Sequence, residues 1–345
     1  MNRIYRRAAS VAGGVFLAGF LTACGGAGTS AVGGSSTTTG SKSGAGSASS
    51  GTIPPTVAPS AVIAGVAQAQ TITKLPAGLH PSLTNTTDTE MLQSGDQCVY
   101  GGVLAVPKPV PPPGSDTWHF GACVYGDVHA QRLLVIFGDS HAGMYLNGLQ
   151  AAGLQNGWRV EAFFDPACPA PSLTFYNQQT KSPDRGCNGF RAAAIREIRQ
   201  LHPTLVVVTS GSLQLLSASH EATAADWQTG YTTTLKRLGE PGTGLAVLGD
   251  LPVLAQESAA CMAAHESNIQ TCATPISQAT QGILNGAEQV AAAAAGATYV
   301  SPDPWICAAK CVPVVDNIRV FIDQYHLSGT YSTYLSGTLA QSLGM

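Results

Sequence analysis

The chain has 345 residues, only 11% of them charged, and a net charge of −3. That composition excludes a basic surface for nucleic acid, and its many Ala, Gly and Thr residues suit a weakly charged or uncharged partner. Residues 1–24 read as an export signal: Arg3, Arg6 and Arg7 supply a positive start, and Val11 to Leu21 an apolar segment too short to span a bilayer. Residues 25–60 follow as a tether. Gly25 to about Gly51 is almost wholly Gly, Ser, Thr and Ala, which cannot bury a core, and Pro54, Pro55 and Pro59 stiffen its end.

Leu21-Thr22-Ala23-Cys24 resembles the lipobox of bacterial lipoproteins. The resemblance implies cleavage before Cys24, acylation of its thiol, and anchoring at the extracytoplasmic face of the cell membrane. The alternative is an ordinary secreted protein with a stray cysteine.

Residues 61–130 read as a lead-in, helical around Ala64 to Gln70 and extended from Leu75 to Leu83. Gln97 to Gly126 is loop-rich, with five prolines between Pro107 and Pro113, and Trp118 and Tyr125 are expected to pack it against the main domain, residues 131–345. Leu133 to Phe137 is an uncharged apolar run, as in a parallel strand buried on both faces. A helix is expected over Ala142 to Asn156. Strands at Arg159–Phe164, Thr204–Thr209, Gly244–Gly249 and Ala297–Val300 then alternate with helices at Asn188–Leu201, Ala222–Leu238 and Ser277–Ala295, and a last helix covers Ser328–Leu343. This alternation predicts a three-layer α/β/α fold with a flavodoxin-like, five-stranded parallel sheet in the order 2-1-3-4-5.

Cys24 aside, eight cysteines remain, and an even count in an exported chain favours disulfides. Eight cysteines allow 105 connectivities. Proximity suggests Cys98–Cys123, Cys168–Cys187, Cys261–Cys272 and Cys307–Cys311. A metal site at Cys307 and Cys311 is the rival reading, but no second ligand pair lies at zinc-like spacing, so neither a metal nor a cofactor is expected.

Ser140 falls on the turn between the first parallel strand and its helix, the edge where open α/β sheets bind ligands. A serine nucleophile needs a base, and the base an orienting carboxylate. Asp323 and His326 stand three apart before the last helix, spaced so that the carboxylate reaches one ring nitrogen while the other points outward. Asp139 reads as a brace for the turn, His141 as a less favoured second base, Tyr325 as packing and Asp250 as structural. The α/β-hydrolase pattern Gly-x-Ser-x-Gly fails at Ala142.

Gly138-Asp139-Ser140-His141 together with Asp323-x-x-His326 resembles the SGNH (GDSL-type) hydrolase superfamily, and more closely the SGNH domain fused to membrane acyltransferase family 3 proteins in bacteria. Leu79-His80-Pro81-Ser82-Leu83, Cys168-Pro169, Asp250-Leu251-Pro252 and His326-Leu327-Ser328 extend the likeness from about Gln68 to the end. The resemblance implies Ser140 as nucleophile, His326 as general base and Asp323 as its orienter. It implies esterase or O-acyltransferase chemistry on envelope glycans through an acyl-serine, with acetyl as the acyl group. This chain carries no fused acyltransferase domain, so a separate membrane acyltransferase is the expected partner.

The family's oxyanion Asn is missing after the third strand, where Thr209-Ser210-Gly211-Ser212 stands, and Asp165-Pro166-Ala167-Cys168 shows no obvious counterpart of the family glycine. The Ser140 N–H, with Gly211 or Ser212 N–H or the Ser210 or Ser212 hydroxyl, is the expected donor set. Losing one such donor costs on the order of 3–4 kcal/mol. A non-catalytic, glycan-binding surface lipoprotein with a degenerate site is the competing function.

Overall fold

A computed structural model describes residues 56–89, 124–178, 180–212 and 215–345, all within one compact unit. The export signal, Cys24, most of the tether, Cys98, Trp118 and Cys123 lie outside the described residues.

The lead-in helix α1, Pro59–Ala69, starts earlier than its periodicity suggests. Pro59 lacks an N–H and fits the first turn, where that donor has no partner. Val62, Val66 and Ala69 form its buried stripe. Next come β1 (Val124–Gly126), β2 (Arg132–Gly138), α2 (Ser140–Gly143), α3 (Leu146–Asn156) and β3 (Trp158–Phe164). They are followed by α4 (Arg185–Gln200), β4 (Leu205–Thr209), α5 (Ala224–Leu238), β5 (Gly244–Leu248) and α6 (Ser258–Ala264). The chain closes with α7 (Ile276–Ala279), α8 (Gly282–Ala294), β6 (Thr298–Val300), α9 (Gly329–Tyr334) and α10 (Ser336–Leu343).

The sheet order is β1-β3-β2-β4-β5-β6. Its five parallel strands, β3-β2-β4-β5-β6, have the expected 2-1-3-4-5 order. The addition is β1, antiparallel on the β3 edge, which uses Tyr125 as a buried edge-strand residue. Alternation along β2 splits the core in two. Leu134 and Ile136 join the layer of α1, α3, α9 and α10, whereas Leu133, Val135 and Phe137 join that of α4, α5 and α8. Because side chains of a strand alternate in direction, a wholly apolar strand needs cover on both sides.

Three expected helices are broken. The one over Ala142–Asn156 starts at Ser140, stops after Gly143 and resumes at Leu146. The alanine-rich one stops at Thr280, which is extended and returns its hydroxyl to the Ile276 carbonyl, and restarts at Gly282. A hydroxyl that bonds nearby backbone competes with helix continuation. The last helix steps at Leu335 into α10, where Gly337 passes so close to the Val57 carbonyl that a Cβ would lie 2.3 Å from it. Three disulfides join the pairs that proximity suggests, Cys168–Cys187, Cys261–Cys272 and Cys307–Cys311. The last leaves no free thiolate for a metal at that place.

Candidate active site

The end of β2 sets the first half of the site. A Cβ on Gly138 would lie 1.8 Å from the Thr209 carbonyl oxygen, so only glycine lets β2 run this close to β4 and turn. Asp139 then caps α2, accepting the His141 N–H at 2.9 Å, and also takes the Gly211 N–H on both carboxylate oxygens. Burial pushes Asp139 up to about 6, against the pull of His141 and these N–H donors. Asp139 is thus a brace for the turn, and Ser140 is left half-buried at the first helical position.

The second half comes from the loop before α9. Ile322 N–H donates to the His326 carbonyl and Ser328 N–H to the Val320 carbonyl, closing a tight turn. Leu254 N–H donates to the Gln324 carbonyl and fixes the turn to the loop after β5. Beneath it, buried Arg319 donates to the carbonyls of Ser82, Leu83 and Asn85, which ties the lead-in to the base of the loop.

Asp323 Oδ1 accepts the N–H groups of Tyr325 and His326, and Oδ2 lies 2.7 Å from His326 Nδ1. His326 Nε2 is 2.9 Å from Ser140 Oγ. Three side chains separated by 186 positions are therefore joined in one hydrogen-bonded chain. Burial raises the Asp323 pKa, but the His326 hydrogen bond and charge and the two N–H donors outweigh it and hold the carboxyl below its usual range. With Asp323 ionised, Nδ1 carries the proton and Nε2 is left to accept the serine hydroxyl. Tyr325 is exposed rather than packed, its ring 4.5 Å from that of His326, so it lines the site.

The expected oxyanion donors need correction. Gly211 N–H is taken by Asp139, and both the N–H and the hydroxyl of Ser212 are taken by Asp250 Oδ2, at 2.9 and 2.6 Å. The Ser210 hydroxyl donates to the Thr209 carbonyl and accepts the Ala170 N–H. All these groups are committed to holding loops together, because a buried donor must be paired. The Ser140 N–H alone of the expected set has no acceptor among the described residues. After β3, Ala167 adopts φ +63°, a left-handed conformation that favours glycine.

One pair was not read from the sequence as part of a site. His141 is buried, and its Nδ1 lies 2.7 Å from Asp250 Oδ1 at the end of β5, a close ion pair with the N–H pointing off the oxygen. Burial pulls His141 down, but Asp250, then Asp139 and Asp323, raise it to about 9. The Asp250 pKa falls below its usual range, because the His141 charge and the Ser212 bonds outweigh its burial. Both shifts describe an imidazolium–carboxylate pair. The only sequence signal was an acidic residue at a strand's carboxyl end, Asp250-Leu251-Pro252.

No curated protein matches the chain in sequence. The periplasmic domain of a lipopolysaccharide acetyltransferase from Salmonella ser. Paratyphi A has a similar fold, with TM-score 0.52, 16% identity, and 63% of this chain and 85% of that chain covered. A carbohydrate acetylesterase family member from Sinorhizobium meliloti aligns at TM-score 0.35 and 15% identity, over 62% of this chain and 100% of that chain. The model of the SGNH domain fused to AT3 domains matches residues 109–341. That span is more than half of the sequence and holds Ser140, Asp323 and His326, and the chain belongs to this SGNH family.

Proposed function

We propose that this protein is a lipid-anchored, extracytoplasmic serine esterase or O-acyltransferase that moves acetyl groups on cell-envelope glycan. Family membership makes it an enzyme of the hydrolase and acyltransferase kind. The observation that carries the reading is the unbroken Ser140–His326–Asp323 chain at the carboxyl edge of the sheet. His326 Nε2 takes the Ser140 proton as Oγ adds to the acyl carbonyl. It returns that proton to the departing alkoxide when the C–O bond breaks, leaving acetyl on Ser140. Water or a sugar hydroxyl then repeats the sequence in reverse. Asp323 keeps Nδ1 protonated throughout and faces the imidazolium that forms.

Carbohydrate as the acceptor is supported by the acetyltransferase of similar fold, which acts on lipopolysaccharide. A membrane acyltransferase is the proposed acyl source, in keeping with the family's fusion to AT3 domains. The lipid anchor rests on Leu21-Thr22-Ala23-Cys24.

A fluorophosphonate probe is expected to label the full-length protein and to leave Ser140→Ala unlabelled. Equal labelling of both would refute the nucleophile and favour a glycan-binding role. Acetate release measured with and without an oligosaccharide acceptor separates hydrolysis from transfer. Incorporation of labelled palmitate, lost in Cys24→Ser, tests the anchor.

A further inference from the structure

The serine reaction just described leaves one requirement unmet. Adding Oγ to an acyl carbonyl moves the π electron pair onto the carbonyl oxygen, and that charge needs donors aimed at it in a site shielded from water. Among the described residues, the Ser140 N–H is the single donor of the expected set left free, since Gly211, Ser212 and Ser210 hold loops together.

His141 meets the requirement. It follows the nucleophile directly, and its ring lies 5.1 Å from that of His326, whose Nε2 touches Ser140 Oγ. Its Nδ1 faces Asp250, and its Nε2 has no acceptor among the described residues. A Cβ built on Gly211 would sit 3.1 Å from that Nε2 and 3.3–3.4 Å from the two ring carbons beside it, so Gly211 packs over the ring face at Nε2, where a side chain would press on the imidazole.

We propose that His141, held as an imidazolium by Asp250, is a catalytic residue whose Nε2–H donates to the acyl oxyanion. The proposal rests on Ser140 being the nucleophile. The oxyanion sits between the Ser140 N–H and His141 Nε2–H. On collapse the electron pair re-forms the carbonyl, the leaving alkoxide takes the proton from His326, and His141 keeps both of its protons. The groups that face His141 sustain this: Asp139 from its own turn, Asp250 from the loop after β5, and Asp323, Tyr325 and His326 from the closing loop. Three carboxylates against one other imidazole favour the charged ring, in line with a pKa raised to about 9.

The test uses the full-length protein with an acetyl ester and its thiono counterpart, whose sulfur is a poor hydrogen-bond acceptor. His141→Ala is expected to lower kcat/KM on the oxygen ester by a hundred- to a thousand-fold. The thiono ester should change less than about ten-fold, so that the oxygen-to-sulfur rate ratio collapses, and His141→Gln should restore part of the ratio through its amide N–H. Gly211→Ala, which crowds Nε2 but removes no ring, should shift the ratio the same way and covers the case of a misfolded His141→Ala. Equal losses on both esters, or an oxygen-ester rate within three-fold of wild type, would overturn the assignment. Ser140→Ala separates the two claims: turnover that persists without Ser140 overturns the serine reading itself, whatever His141 does.

Discussion

Asp323→Asn is the substitution that most directly probes the geometry. The side chain is nearly isosteric, and its carbonyl oxygen can still accept the N–H groups of Tyr325 and His326 that now bind Oδ1. The fold of the loop should survive. The amide nitrogen then replaces Oδ2, 2.7 Å from His326 Nδ1, and presents two donors where a proton acceptor stood. The ring must answer with an unprotonated Nδ1, which moves its proton to Nε2. That nitrogen, 2.9 Å from Ser140 Oγ, can no longer accept the hydroxyl proton. The expected loss in kcat is about 10³ to 10⁴, the size of the wrong-tautomer effect in serine enzymes, or roughly 4–5.5 kcal/mol of barrier at about 1.4 kcal/mol per decade. KM should move little, because Asp323 lies behind the base. Acetyl ester hydrolysis supplies the rates, and a thermal melt within a few degrees of wild type shows that the loop is intact. A variant that folds normally and keeps a tenth or more of wild-type kcat would refute the role given to Asp323.

Gly138→Ala should destabilise by about 3 kcal/mol or more, because its Cβ meets the Thr209 carbonyl and β2 must separate from β4; denaturant melts check this. Arg319→Met removes charge-assisted bonds to the carbonyls of Ser82, Leu83 and Asn85, and should lower stability by about 2–4 kcal/mol and kcat with it, since the loop carrying His326 stands on this residue. Opening the Cys168–Cys187 loop, 19 residues apart, by a double Cys→Ala change should lower stability by about 3 kcal/mol through the entropy returned to the unfolded chain, read as a lower Tm. Glu288 is buried beside Trp227, and burial raises it from 4.5 to about 8. Between those values the folded chain binds a proton that the unfolded chain has released, so stability should fall as pH rises from about 4.5 to about 8 and then level off. Glu288→Gln should flatten that limb of a Tm-against-pH curve, and an unchanged curve would exclude Glu288 as its source.

Much of this arrangement was legible in one dimension because it is written in local patterns. An uncharged run such as Leu133 to Phe137 has one stable use, a strand covered on both faces, and five strand-like segments separated by helical periodicity leave few ways to order a parallel sheet. Ser140 was legible for the same reason, since a short polar turn between a buried strand and a helix lands on the edge where such sheets bind ligands. Asp323 and His326 were legible from a spacing that joins a carboxylate to a ring. Helix ends read less well. The break at Thr280 depends on a hydroxyl reaching a carbonyl, which periodicity does not encode.

Composition and local pattern determined the five parallel strands, their order, three of the disulfide pairs and the candidates for nucleophile, base and acid. Tertiary structure alone decided which polar groups remained free to act. Gly211, Ser212 and Ser210 looked available as donors, but packing the loops after β4 and β5 against the turn of Asp139 consumed them, because buried donors are paired wherever they can be. The same packing brought Asp250 to His141, 109 positions away in the chain but 2.7 Å away in space. Whether a side chain holds the fold together or faces a substrate depends on what surrounds it, and the neighbours that surround it arrive from distant parts of the chain.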